Sequence, residues 1–102
     1  MTNKLKQYQI LKKIYCNNGL SFHQYVTSVY RPFYIPFNKI IEWIEPGSRV
    51  LDIGCGTGLL LQLLNETIGL SESHGFDINE QSINTANKVN RYDHLNFINN
   101  KI

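Results

Sequence analysis

Asp52, Gly54, Gly56 and Gly58 fall at alternate positions in the run Val50-Leu51-Asp52-Ile53-Gly54-Cys55-Gly56-Thr57-Gly58, and a second acid, Asp77, lies 25 residues after the first. Glycines at this spacing let a strand turn sharply into a helix and bring the backbone close to a ligand with no Cβ between them. N–H groups left free where the helix begins favour an anionic group there. A carboxylate at Asp77, ending the next strand, can accept hydrogen bonds from both hydroxyls of a ribose. Ile78 beside it would lie against a purine ring. Each residue has a plainer alternative. The glycines would also serve a tight turn, though three exceed what a turn needs. Asp77 would cap a helix, though Asn79 is better placed to do so. Asp52 would either meet the ligand or bind backbone N–H groups of its own loop.

The spacing narrows the ligand. No G-x-x-x-x-G-K-[ST] occurs, which excludes the phosphate-binding P-loop. The dinucleotide pattern G-x-G-x-x-G also fails, because its third glycine would fall on Leu59 counted from Gly54, or on Leu61 counted from Gly56. What stands is D-x-G-x-G-x-G. An acid inside the end of the strand repels a pyrophosphate and suits an ammonium or sulfonium group. Cys55 has no histidine at an interpretable spacing and reads as a small filler rather than a nucleophile. His23, His74 and His94 are scattered and read as loop or surface residues, so no metal site is implied.

These residues need a strand–turn–helix frame, and the sequence supplies one. Arg49–Ile53 is short and apolar, Leu59–Ile68 is a strongly apolar helix stopped by Gly69, and His74–Asp77 is a second strand. Asn79 caps a helix over 80–91 whose apolar face is Ile83, Ala86 and Val89, and Leu95–Ile98 is a third strand. The leucines at 59, 60, 61, 63 and 64 are expected in the core. Strand, helix, strand, helix, strand makes half of a doubly wound α/β fold, with three parallel strands. Ahead of it the lead is helical. Leu5, Tyr8, Leu11, Ile14 and Tyr15 form an apolar arc over 4–16. Phe22, Tyr25, Val26 and Val29 form another from Ser21, broken at Arg31-Pro32. Phe37, Ile40, Ile41 and Ile44 form a third after Pro36, ended by Pro46-Gly47.

Composition agrees with one globular domain: 102 residues, 42% hydrophobic and 18% charged. The net charge of +2 hides a division. Residues 1–41 carry six basic side chains and no acid, whereas residues 42–102 net −4; nine of the twelve aromatics lie at or before Trp43. The division predicts a basic, aromatic lead over residues 1–35, serving as lid or substrate segment, and a ligand-binding part over residues 36–102. Interleaved Lys and Tyr would also touch RNA or an anionic membrane surface, but helices packed on the sheet with solvated lysines explain most of them. Tyr30, Arg31 and Tyr34 are the first candidates for substrate contact. Lysines interrupt every apolar run near the N-terminus, two cysteines make no disulfide framework, and a cytoplasmic protein is expected.

Residues 49–58, with Asp77 behind them, resemble the first two motifs of class I S-adenosylmethionine-dependent methyltransferases, over roughly residues 36–98. The resemblance implies S-adenosylmethionine as cofactor, held by Asp52, Gly54, Cys55, Gly56, Thr57, Gly58, Asp77 and Ile78, with Asp77 on the ribose diol. It implies that an adenine-contacting acid, a fourth strand, and the substrate and catalytic groups follow the third strand. The sequence therefore reads as the front half of a methyltransferase, with catalytic residues and methyl acceptor unassigned. The alternative is a truncated, non-catalytic product that binds the cofactor weakly or only associates with a partner. In either case the first strand would lack a neighbour on one side, an apolar edge that invites self-association.

Overall fold

Asn3 opens the first helix of the computed structural model, its side chain accepting from the Lys6 N–H at 2.8 Å, and the structure describes residues 3–16, 28, 30–33 and 35–100. The elements are α1 (Lys4–Tyr15), a 3-10 turn (Arg31–Phe33), α2 (Phe37–Glu42), β1 (Leu51–Ile53), α3 (Leu59–Thr67), β2 (Ser73–Asp77), α4 (Glu80–Val89) and β3 (Leu95–Asn99). The helix expected from Ser21, with Phe22, Tyr25, Val26 and Val29, lies outside the described residues, as do His23 and Tyr34.

Lys12 and Lys13 occupy the last turn of α1, where cations complement the helix dipole. Its buried stripe is Gln7, Leu11 and Tyr15, spaced by four. Leu5 was expected on that stripe and is instead 60% exposed. The stripe is narrower than the apolar arc, and position 5 faces away from it. Gln7 takes part because its Nε2 donates to Asn38 Oδ1 of α2 at 2.6 Å. α2 is shorter than its apolar spacing predicted. It ends at Glu42, and Trp43, 82% exposed, carries the chain out of the helix.

The three strands are parallel in the order β1-β2-β3, pairing Asp52 with Gly75 and Asp77 with Asn99. Connections this short between parallel strands require crossover helices, and α3 and α4 provide them. The N-terminal end of α4 forms as expected, Asn79 Oδ1 accepting from the Ser82 N–H; the helix ends at Val89, two residues short of the expected 91, with Lys88 in its last turn. Its buried face is wider than expected, adding Thr85 to Ile83, Ala86 and Val89.

Two cores meet at α3. Leu61 and Leu64 join Cys55, Leu70, Ile83, Ala86, Leu95 and Phe97, while Leu59 and Leu63 join Leu11, Tyr15, Phe37 and Val89. A helix apolar nearly all round is one sandwiched between two layers, which explains its run of leucines; Leu60 alone among them is half-buried. β1 is the sheet's edge. Leu51 and Ile53 are 60% and 64% exposed, and among the described residues nothing pairs with its far side. Among the described residues, no helix is long and apolar enough to cross a membrane.

Candidate functional site

The turn after β1 is held against β2 by one carbonyl: Phe76 O accepts from the N–H groups of Gly54 at 2.7 Å and Cys55 at 3.0 Å. Gly54 and Gly56 have φ of +78° and +57°, and nothing lies within 4 Å of where a Cβ would stand on either. Their conformation demands glycine, and the space before them is open. Gly58 answers a different need. A Cβ there would sit 2.6 Å from Phe97 Cε1, so the aromatic ring of β3 closes onto the start of α3.

Asp77 is the hub of this end of the sheet. Its Oδ2 accepts from the Gly56 N–H and its Oδ1 from the Asn79 N–H, both at 2.8 Å. Its main-chain carbonyl accepts from Asn99 Nδ2 at 3.0 Å and from the Asn100 N–H at 3.1 Å. The carboxylate thereby ties the glycine loop to the turn that opens α4, and each oxygen keeps a lone pair for a further donor. Loop-structuring, one of the two roles open to Asp52 from sequence, belongs to Asp77. The Asp52 carboxylate is half-buried and has no hydrogen bond among the described residues. Burial, and then repulsion from Asp77, raise its pKa above the ordinary carboxylate value. A half-buried anion with no counter-charge prefers a cation beside it.

Cys55 turns inward. Its Sγ lies 2.8 Å from where a Gly75 Cβ would stand, and the residue is buried in the core beneath the loop. Burial, followed by the charges of Asp52 and Asp77, pushes its thiol up to about 12. The thiol is therefore protonated at neutral pH, as befits a filler. Thr57 N–H and Leu59 N–H have no partner among the described residues, leaving donors at the start of α3. Ile78 is 73% exposed beside the loop.

Sequence reasoning missed Tyr15. Its hydroxyl donates to Thr57 O at 2.9 Å from a fully buried ring, and burial raises its pKa, so it remains a donor. No local spacing signals a contact across 42 residues. Of the other candidates, Tyr30 and Arg31 are exposed, and the Tyr30 ring clusters with those of Tyr8 and Phe33, at 5.3 and 6.0 Å between ring centroids. A cavity of about 380 Å³ opens elsewhere, where Lys6, Lys13, Gln62, Glu66, Arg91 and Tyr92 help to line it, and no glycine-loop residue does. Among the described residues, no cluster of side chains fits a metal ion.

A family model described as methionine biosynthesis protein MetW matches residues 35–92, more than half of the chain. The chain belongs to the MetW family. The matched span holds the whole glycine loop and Asp77. Beyond the MetW family, ribosomal protein L11 methyltransferase of Paraburkholderia xenovorans is 40% identical over 50 residues, which are 45% of this chain and 16% of that protein. Among solved structures, a chain in the complex between the Haloferax volcanii Trm112 methyltransferase activator and the putative methyltransferase superposes with a TM-score of 0.53 at 28% identity. The superposition spans 61% of this chain and 28% of that one. A SAM-dependent methyltransferase from Thiobacillus denitrificans, in complex with S-adenosyl-L-homocysteine, superposes with a TM-score of 0.53 at 23% identity, over 63% of this chain and 28% of that one. This MetW-family chain thus spans less than a third of the length of each of these three relatives. Its fold is the Rossmann-like fold of class I S-adenosylmethionine-dependent methyltransferases.

Proposed function

We propose that the glycine loop and Asp77 bind S-adenosylmethionine and that the chain serves methyl transfer. The observation that carries this reading is the open space before Gly54 and Gly56, with Asp77 bonded to the Gly56 N–H and the uncompensated carboxylate of Asp52 two residues before Gly54. In this assignment the free lone pairs of Asp77 accept from the ribose hydroxyls and Asp52 faces the cationic part of the cofactor. Gly54, Cys55, Gly56, Thr57 and Gly58 supply backbone, and Ile78 lies along the purine. When bound, the cofactor supplies a methyl group on a sulfonium, a good leaving group, so the protein's task is to hold it in line and exclude water. Residues 36–102 carry the cofactor part. The basic lead of residues 1–35 is assigned to acceptor recognition or closure. Relatives named as methyltransferases support the reaction class.

A titration of the 102-residue chain with S-adenosylhomocysteine, read by amide NMR, tests the reading. Shifts confined to Gly54, Gly56, Gly58 and the Asp77 region are expected; a folded spectrum indifferent to the ligand would overturn it. The exposed edge of β1 supports a second reading, association with a partner chain. Its signature is broadening at Leu51–Ile53 that sharpens on dilution.

Asp52 gives a result of unusual sign. Between the ordinary carboxylate pKa and its raised native value, the folded chain holds a proton that the unfolded chain has lost. Stability is therefore greatest on the acid side and falls as pH rises through that window. Asp52→Asn removes the penalty. At neutral pH the unliganded variant melts higher than wild type, and its stability varies less with pH across that window. It binds the cofactor roughly tenfold more weakly, for want of a charge-assisted contact. Thermal melts from pH 3 to 8 with isothermal titration check both halves.

A further inference from the structure

We propose that Tyr15 is a positioning residue for the cofactor loop, a latch through which α1 sets the loop's shape. The inference rests on the cofactor reading above and adds to it a residue outside the glycine motif. Thr57 stands between two glycines of positive φ, and glycine-flanked peptide planes rotate cheaply. A loop built this way keeps one shape only if its carbonyl and N–H groups are held from outside. Asp77 holds the N–H of Gly56 from the sheet side at 2.8 Å. Tyr15 holds the carbonyl of Thr57 from the helix side at 2.9 Å. The same peptide's N–H, on Gly58, donates to Cys55 O at 3.0 Å, so the Thr57–Gly58 plane is fixed at both ends.

The phenol is itself held firmly. Tyr15 is fully buried, and its ring shares a core with Leu11 of α1, with Leu59, which begins α3 directly after the loop, and with Leu63 one turn further on. A rigid buried donor aimed at a backbone acceptor is what pre-organises a loop. The arrangement makes α1 and the cofactor thermodynamic partners. If the latched loop binds the cofactor better than the unlatched loop, bound cofactor must in turn favour the docked α1.

Hydrogen exchange on the wild-type chain, with and without saturating S-adenosylhomocysteine, reads this coupling without any substitution. Slower exchange of the α1 amides around Leu11 and Tyr15 is expected with ligand, and indifference of α1 overturns the latch. Tyr15→Phe keeps the ring and removes the donor. It should weaken S-adenosylhomocysteine binding about threefold to tenfold, shift the Gly56 and Gly58 amides before ligand is added, and uncouple α1 exchange from the ligand. Tyr15→4-aminophenylalanine, which restores an N–H donor at the same point, should recover most of the affinity. A Tyr15→Phe chain that melts lower but binds as tightly as wild type marks a purely structural contact and overturns the proposal. If the wild type binds tightly while Tyr15→Phe is unchanged, the latch alone fails; if the wild type does not bind, the cofactor reading fails and the latch falls with it.

Discussion

Asp77→Ala lowers the affinity for S-adenosylhomocysteine by roughly tenfold to a hundredfold, the loss of charge-assisted hydrogen bonds worth on the order of 1.5–3 kcal/mol each. Two effects add in this variant. The acceptors proposed for the ribose disappear, and the Gly56 and Asn79 N–H groups lose the carboxylate that joins them. The two bonds to the Asp77 main-chain carbonyl survive, so β3 stays paired and the fold persists. Asp77→Asn separates the effects. Its single amide oxygen can serve one of the two N–H groups but not both, and it carries no charge, so its affinity should fall between wild type and alanine. Isothermal titration of the three proteins checks the order. Equal affinity of Asp77→Ala and wild type would remove Asp77 from the site.

Gly58→Ala is the most damaging single methyl group in the chain's loop. The new Cβ meets Phe97 Cε1 at 2.6 Å and Cζ at 2.7 Å, and φ is +82°. The ring is buried between β3 and Cys55, so it cannot swing aside without disturbing the core beneath the loop. Overpacking of this kind costs about 1–3 kcal/mol and the left-handed backbone about 1–2 kcal/mol more. A loss of about 3 kcal/mol lowers the melting temperature of a domain this size by roughly 12–24 °C. Gly54→Ala is the matched comparison, with a similar φ of +78° and nothing within 4 Å. It should bear only the backbone cost, about 1–2 kcal/mol, and thermal melts of the pair should show that gap. Coincident melts would mean that Phe97 yields freely and that the close approach does not constrain position 58.

These contrasts also mark what a sequence reveals. The three strands, α3, α4 and the caps on both helices follow from signals a few residues long: alternating glycines, apolar runs, Asn79 before a polar helix, Gly69 after an apolar one. That Asp52 and Asp77 sit on neighbouring strands, each near the end that leads into the next helix, follows from the same pattern. Contacts joining distant segments do not. Phe97 lies 39 residues from the glycine it covers, and Tyr15 lies 42 from the carbonyl it binds. Gln7 is buried by a partner in α2, against its own polarity. Leu5 is exposed, against its apolar character, because packing chose a narrower stripe. The roles of the two acids were likewise decided by reach. Asp77, at the strand's end, meets two N–H groups, and Asp52, within its strand, meets none among the described residues.

The plain strand order β1-β2-β3 has a further consequence, for how the chain assembles as it is made. Each strand pairs with the one synthesised just before it, and the crossover between them is a single helix. Register is therefore settled over short separations, 23 residues between Leu51 and His74 and 22 between Ser73 and Leu95. Such sequential pairing keeps contact order low and lets a nascent chain add one strand–helix unit at a time. The Tyr15–Thr57 contact obeys the same schedule, since both of its partners have been synthesised before β2 begins. Asp77 closes the loop from the other side only when β2 emerges, so the glycine turn is completed in the order in which its supports leave the ribosome.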